Sequence, residues 1–248
     1  MKNYKALKQN RLPFSWCPGC GINVVALYLA EYFEKNNFTN KNTSIISGIG
    51  CSGRMAGYFN MDTMHTTHGR AACVAEGLKL NKPELNVLVV SGDGDLLGIG
   101  LNHLIHIARR NTGIKVLCIN NSIYAMTGGQ LSPTTPKGWK TQTSQKGNRY
   151  ENINIYEAIC RPFKRFFARV TPLHKDLFFK ALDTAFANNF FSFVEIVLPC
   201  FENDYRRNGI QSPGKALEYV SSKFTNVGHV RNLKTNQVGI ISSYENKK

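Results

Sequence analysis

Residues 86–95, NVLVVSGDGD, constrain this chain more than any other stretch. A β-branched apolar run ends in alternating glycine and aspartate, which marks a buried strand breaking into a tight loop. Residues 96–111 then repeat apolar side chains at helical spacing and finish on Arg109, Arg110 and Asn111, with cations suited to a helix C-terminus. Residues 114–121, IKVLCINN, form a second strand. Strand, loop, helix and strand in that order make a βαβ unit, with parallel strands and a right-handed crossover. Further segments fit the same scheme. Residues 24–34 read as a helix, 44–50 as a strand stopped by glycines, and 71–79 as a helix. Beyond a polar loop at 127–149 come the strand FFARV, a helix over 175–188 and the strand FFSFVEIVLPC. The expected fold is α/β: three layers, a mostly parallel sheet with helices on both faces. A single domain is expected over 1–248, with its core at about 13–209 and a polar C-terminal extension at about 210–248.

The loop itself carries chemistry. Its glycines fall at 92, 94 and 98, which misses the G-x-G-x-x-G dinucleotide spacing by one. A phosphate resting on a helix N-terminus wants backbone N–H groups and no neighbouring anions. Asp93, between two glycines, would repel a pyrophosphate unless a divalent cation stood between them. Mg²⁺ does this, taking one or two carboxylates together with phosphate oxygens. Asn120 and Asn121 close the adjacent strand, so both loops leave the carboxyl ends of neighbouring parallel strands, where such sheets bind ligands. Asp93, Asn121 and the Ile123 carbonyl can therefore reach one Mg²⁺. The alternative is a structural turn in which aspartate caps a helix.

The bulk composition excludes several classes. No apolar run reaches the length of a membrane helix, and the basic start lacks the apolar stretch of a secretory signal. A cytoplasmic location is expected. The charge of +15, from 31 Lys+Arg against 16 Asp+Glu, is spread along the chain rather than massed on a basic helix with interleaved aromatics. That argues against nucleic acid and leaves a general drift toward Lys and Asn, or attraction to an acidic protein partner. Seven cysteines without an export signal favour metal or redox chemistry over disulfides.

Cys17-Pro-Gly-Cys20 is the obvious candidate for that chemistry. A thioredoxin-type dithiol would need a strand just before it, and residues 7–15 show none. A four-cysteine zinc site needs the same residue types and stays open on spacing alone.

Several blocks, WCPGCG, SGIGCSGR, HTTHGRA, GDGD, NNSIYAMTGGQLSPTTPKG and FVEIVLPC, occur in the order found in β subunits of 2-oxoacid:ferredoxin oxidoreductases. The chain resembles that family over about residues 13–209, and its 2-oxoglutarate branch most; pyruvate is the other substrate the family offers. The resemblance implies a thiamine diphosphate-dependent enzyme that decarboxylates a 2-oxoacid oxidatively, releases an acyl-CoA and passes electrons to ferredoxin. It implies Mg²⁺–thiamine diphosphate on Gly92, Asp93, Gly94, Asp95, Asn121 and Ile123, with Ile49 and Met126 packed against the cofactor. It implies a 4Fe–4S cluster on Cys17, Cys20, Cys51 and Cys200. His68 corresponds to the family histidine near the cofactor, and Arg54 is a candidate partner for a substrate carboxylate. The remaining cysteines, Cys73, Cys118 and Cys160, read as buried structural thiols. His103 and His106 read as packing or interface residues. The glutamate that activates thiamine lies on the family's α subunit, so this chain is expected to act only with that partner. Glu76, Leu101 and Ala125 depart from the family wording, and Glu76 brings a charge with no evident purpose. A thiamine diphosphate enzyme without a cluster would leave the four cysteines incidental.

Overall fold

Parallel pairing of apolar strands dominates the computed structural model, which describes residues 4–241. The strands are β1 (Thr43–Ser47), β2 (Asp62–His65), β3 (Asn86–Gly92), β4 (Lys115–Asn120), a short ribbon of β5 (Ile123–Tyr124) and β6 (Gln130–Leu131), then β7 (Phe166–Val170), β8 (Ser192–Val197), β9 (Thr225–Val230) and β10 (Gln237–Ile241). The main sheet runs β2-β1-β3-β4-β8-β7-β10-β9, and all its neighbours are parallel except β7 and β10. The expected three-layer α/β fold is what the chain adopts.

Alternation along each central strand feeds two cores. Leu88, Val90, Leu117 and Ile119 pack with α1 (Gly21–Lys35) and α4 (Lys175–Phe186) on one face. Val87, Val89, Val116 and Cys118 pack with α2 (Ala71–Asn81) and α3 (Leu101–Arg110) on the other. Strands buried on both faces need apolar side chains of both parities, which is why VLVV and KVLCI read as continuous runs. Each such side chain contributes about 1.5–3 kcal/mol on burial. Cys118 and Cys160 lie fully inside as expected, whereas Cys73, expected buried, is only half-buried at the side of α2, and all seven cysteines are free thiols.

Three expectations need correcting. The helix expected over 96–111 is broken: Gly94–Ile99 forms a wide π-type turn and α3 starts only at Leu101. The Gly100 N–H donates to the Asp95 carbonyl, five residues back, at 3.1 Å. Asp95 is held by other loops, so the chain widens around it rather than winding straight on. The first helix begins at Gly21, before the apolar periodicity that starts at Val24. The folded core also does not stop near 209. Residues 210–241 supply α5 (Pro213–Lys223), β9 and β10, and β10 pairs with β7. β9 is an edge strand with half-covered side chains, so its sequence looks polar. Ser212 caps α5 by accepting from the Lys215 N–H, with Pro213 at the first helical position, a start signal legible in the sequence. Residues 242–248 of the expected extension lie outside the described residues. No helix among the described residues is long and apolar enough to cross a membrane.

Candidate active site

Because β2, β1, β3, β4 and β8 lie side by side and parallel, their carboxyl ends open along one edge. The loops leaving them carry Ile49 and Cys51, His68, residues 92–95, residues 121–127, and Cys200. A sheet of this type presents its ligand site there.

Asp93 is 1% exposed. Its Oδ2 accepts from Ser132 Oγ at 2.7 Å and Thr134 Oγ1 at 2.6 Å, and its Oδ1 accepts from the Asn121 N–H at 3.3 Å. Burial pushes the carboxyl above its usual range, and these hydrogen bonds pull it back toward the charged form. The inner atom of the Asn121 amide stands 2.9 Å from the Ile123 carbonyl oxygen and 3.3 Å from Asp93 Oδ1. As nitrogen it donates to both. As oxygen it completes a set of three oxygens with no proton between them, an arrangement that a hard cation stabilises. With the amide oxygen turned inward, Asp93, Asn121 and the Ile123 carbonyl would fit the ion expected there.

Asp95 plays a different part from its neighbour. Its Oδ2 accepts from Ser91 Oγ at 2.8 Å, and its Oδ1 accepts from the Gly69 N–H at 2.8 Å and the Ile49 N–H at 3.2 Å. His68 Nδ1 lies 2.7 Å from the same Oδ1. One buried carboxylate therefore ties together the loops after β1, β2 and β3 and lies against the His68 ring.

The two glycines of the loop also differ. An added Cβ at Gly92 would come within 3.1 Å of Ser52 Oγ, whereas at Gly94 it would run into the Tyr124 ring. Tyr124 also donates its hydroxyl to the Gly94 carbonyl at 3.0 Å. Gly94 thus makes room for the Tyr124 side chain. Gly94→Ala should lower stability by about 1–3 kcal/mol in thermal unfolding, and adding Tyr124→Leu should recover part of it.

Two cavities adjoin here. One, of about 110 Å³, is lined by Ile49, His68, Asp93, Asp95, Asn121 and Ile123, with Gly92 and Gly94. The other, of about 260 Å³, is lined by Trp16, Cys17, Cys20, Cys51, Arg54 and Cys200. Cys51, Asn121, Ala125 and Met126 belong to both walls. Every residue expected at the site therefore lines one cavity or the other, and Arg54 lies exposed on the cysteine side.

The cysteine cavity is built from separate turns. Cys20 immediately precedes α1, and its sulfur accepts from the Ile22 N–H. Cys51 leads into the 3₁₀ turn Ser52–Tyr58, and its carbonyl accepts from Trp16 Nε1 at 2.8 Å. Cys200 precedes the turn Phe201–Tyr205, and its sulfur accepts from the Asn203 N–H. Gly19, at φ +76°, lets the Pro-Gly corner lie against Pro213 of α5. Burial pushes the Cys20 thiol up to about 11 and the Cys200 thiol up to about 12, so any metal bound here would have to displace protons. Among the described residues no three Cys, His, Asp or Glu side chains converge closely enough to hold a single ion. Ligands of an iron–sulfur cubane stand farther apart, since the cluster lies between them.

Residues 48–196 match the family described as thiamine pyrophosphate enzyme, C-terminal TPP binding domain. A 2-oxoglutarate synthase subunit KorB from Methanothermobacter thermautotrophicus is 40% identical over 220 residues, 89% of this chain and 77% of that one. Its counterpart from Archaeoglobus fulgidus is 45% identical over 196 residues, covering 78% of this chain and 72% of that one. The chain belongs to the β subunits of the 2-oxoacid:ferredoxin oxidoreductases. The fold agrees. A solved 2-oxoglutarate:ferredoxin oxidoreductase from Magnetococcus marinus, with 2-oxoglutarate, coenzyme A and succinyl-CoA bound, superposes with a TM-score of 0.85 at 24% identity, over 97% of this chain and 84% of that one. As a subunit of such an oxidoreductase, the β chain is part of a thiamine diphosphate-dependent enzyme and works with a partner subunit.

Several features of this β subunit could not be read along the chain. Glu76, a charge without a purpose in sequence, forms a two-point ion pair with Arg110, Oε1–Nε 2.8 Å and Oε2–Nη2 2.5 Å, and accepts from Thr112 Oγ1 at 2.6 Å. It braces α2 against α3. Leu101 packs at the margin of the α2/α3 core, and Ala125 lines both cavities. His103 Nε2 meets Arg70 Nη1 at 2.9 Å, whereas His106 is exposed on the same helix.

The polar loop at 127–149 and the turn leading into it are pinned by the segment that follows Cys200. Asn203 Nδ2 donates to the Ala125 carbonyl at 2.8 Å, Asn208 Oδ1 accepts from the Lys140 N–H at 2.9 Å, and Trp139 Nε1 donates to Asp204. Burial raises the Asp204 carboxyl from 3.8 to about 7, against the pull of the Trp139 hydrogen bond. Between those values the folded chain holds a proton that the unfolded chain has released, so stability should fall as pH rises from about 4 to about 7. Asp204→Asn should flatten that slope and leave the variant more stable at pH 8, by on the order of 2 kcal/mol or ~5 °C in Tm.

Proposed function

We propose that this chain is the β subunit of an oxidoreductase acting on 2-oxoglutarate, holding Mg²⁺–thiamine diphosphate and a 4Fe–4S cluster, and delivering electrons to ferredoxin while the acyl group leaves on CoA. Cytoplasmic residence accompanies this reading. The observation that carries it is the common wall of Cys51, Asn121, Ala125 and Met126, which sets a pyrophosphate–metal loop directly against a pocket of four cysteines. When bound, thiamine diphosphate supplies an electron sink for decarboxylation and the cluster supplies a one-electron relay.

The chain's own groups divide the remaining work. Asp93, Asn121 and the Ile123 carbonyl hold the cation that offsets the pyrophosphate charge. The Gly92–Asp93–Gly94 backbone admits the phosphates. Ile49 and Met126 flank the cofactor, and Asp95 keeps His68 turned into its cavity. Arg54, at the mouth of the cysteine cavity, offers a cation to a substrate carboxylate. Cys17, Cys20, Cys51 and Cys200 supply four thiolates, the first two from one turn and the others from a turn each.

Anaerobic co-purification with the α partner tests the whole reading. Brown protein containing iron and thiamine diphosphate, with ferredoxin reduction that depends on 2-oxoglutarate and CoA, is the expected result. Preference for pyruvate would overturn the substrate. Colourless protein loaded with zinc would overturn the cluster.

A further inference from the structure

Beneath the metal loop runs a line of buried polar groups that the cofactor contacts leave unused. Glu195, on β8, is 3% exposed. Its Oε2 accepts from Arg169 Nε on β7 at 2.7 Å, and its Oε1 accepts from Asn120 Nδ2 at the end of β4 at 2.7 Å. Arg169 Nη1 reaches on to the Lys234 carbonyl, in the loop before β10, at 3.0 Å. On the other side, Asn120 Oδ1 accepts from the Ser122 N–H at 3.1 Å. Ser122 is left-handed, φ +63°, a conformation that a non-glycine residue adopts only when it is held. Thr135 Oγ1 grips its carbonyl at 2.5 Å. That turn brings the Asn121 amide against both Asp93 Oδ1 and the Ile123 carbonyl.

The chemistry gives the line a direction. A carboxylate only accepts hydrogen bonds, so Glu195 obliges the Asn120 amide to present its nitrogen to β8 and its oxygen to Ser122. Two apolar residues would fill the space between β7 and β8 without the cost of desolvating an ion pair. What they could not do is orient an amide.

We propose that Glu195 is a positioning residue for the metal–pyrophosphate loop: braced by Arg169, it orients Asn120, and Asn120 fixes the left-handed turn that presents Asn121 and Ile123 to the cation. The identity of the ligand rests on the function proposed above, whereas the relay itself is a property of this chain.

The test uses the complex with the α partner, stripped of divalent metal and titrated with Mg²⁺ by calorimetry at fixed thiamine diphosphate. Asn120→Ala, which removes only the last link, and Glu195→Gln should each raise the half-saturating Mg²⁺ about tenfold, with turnover at saturating Mg²⁺ within about twofold of the parent. Amide exchange at residues 120–126 of the metal-free complex should quicken in both. The double variant Arg169→Gln/Glu195→Gln restores an uncharged relay and should recover Mg²⁺ affinity. In it the new amide on β8 accepts from Asn120 and donates to the new amide on β7. A merely structural role predicts faster exchange across the whole sheet and no recovery in the double variant, which would overturn the proposal. So would unchanged Mg²⁺ affinity in both single variants. If the parent complex took up no Mg²⁺–thiamine diphosphate, the functional reading would fail, and exchange at 120–126 would still decide the relay.

Discussion

Asp93→Asn should raise the thermal stability of the metal-free chain while removing about a thousandfold of the assembled enzyme's turnover. The two effects have one cause. Asp93 is buried, and in the metal-free chain burial opposes its charge, with Ser132 Oγ, Thr134 Oγ1 and the Asn121 N–H compensating in part. An asparagine keeps the shape and one acceptor oxygen and removes the desolvated charge, so the fold gains. In the function proposed above the same charge would bind the cation facing the pyrophosphate, and losing a metal's charge stabilisation costs several kcal/mol in the reaction barrier. Calorimetry should show Mg²⁺–thiamine diphosphate affinity collapsing in the variant while its Tm is equal to or above the parent's. A variant that kept its affinity would remove Asp93 from the metal site. Asp93→Ala separates the effects further: it strands the Ser132 and Thr134 hydroxyls without their acceptor, and should destabilise the chain by about 1–3 kcal/mol as well as abolish binding.

The second large effect concerns Cys200. Cys200→Ser in the assembled enzyme should lose one cubane's complement of iron and lower ferredoxin reduction at least a hundredfold, yet bind thiamine diphosphate within about threefold of the parent. Cys200 lines only the cysteine cavity, so its removal leaves the cofactor walls intact. A serine hydroxyl replaces a soft thiolate, the ligand on which iron–sulfur clusters depend. Cys51→Ser is the informative companion. Because Cys51 lines both cavities, that variant should lose iron and also weaken cofactor binding. Iron analysis and cofactor titration on the two proteins distinguish the cases, and equal behaviour of the two variants would contradict the shared-wall geometry.

Much of this was legible along the chain because the signals are local. A β-branched run stopped by glycines gives β3, and cations at a helix end give the close of α3. The order of the motifs gives the family, and with it Asp93, Asn121 and the four cysteines that line one cavity. Edge strands were harder. β9 is only half covered, so it carries no burial pattern to read, and α5 before it was marked only by Ser212-Pro213.

The sequence by itself determined which residue types meet at the carboxyl ends of the parallel strands, since strand period and loop chemistry are properties of short segments. Only the tertiary structure decided how the two aspartates of one loop divide their labour. Asp93 faces Asn121 and the Ser132–Thr134 hydroxyls, while Asp95 binds the loops after β1 and β2. It also supplied the partner that makes Glu76 useful and the relay from Arg169 through Glu195 to Asn120. The physical reason is the same in each case. A charge buried in a protein is defined by the donors that satisfy it, and those donors arrive from distant parts of the chain only when the sheet has closed.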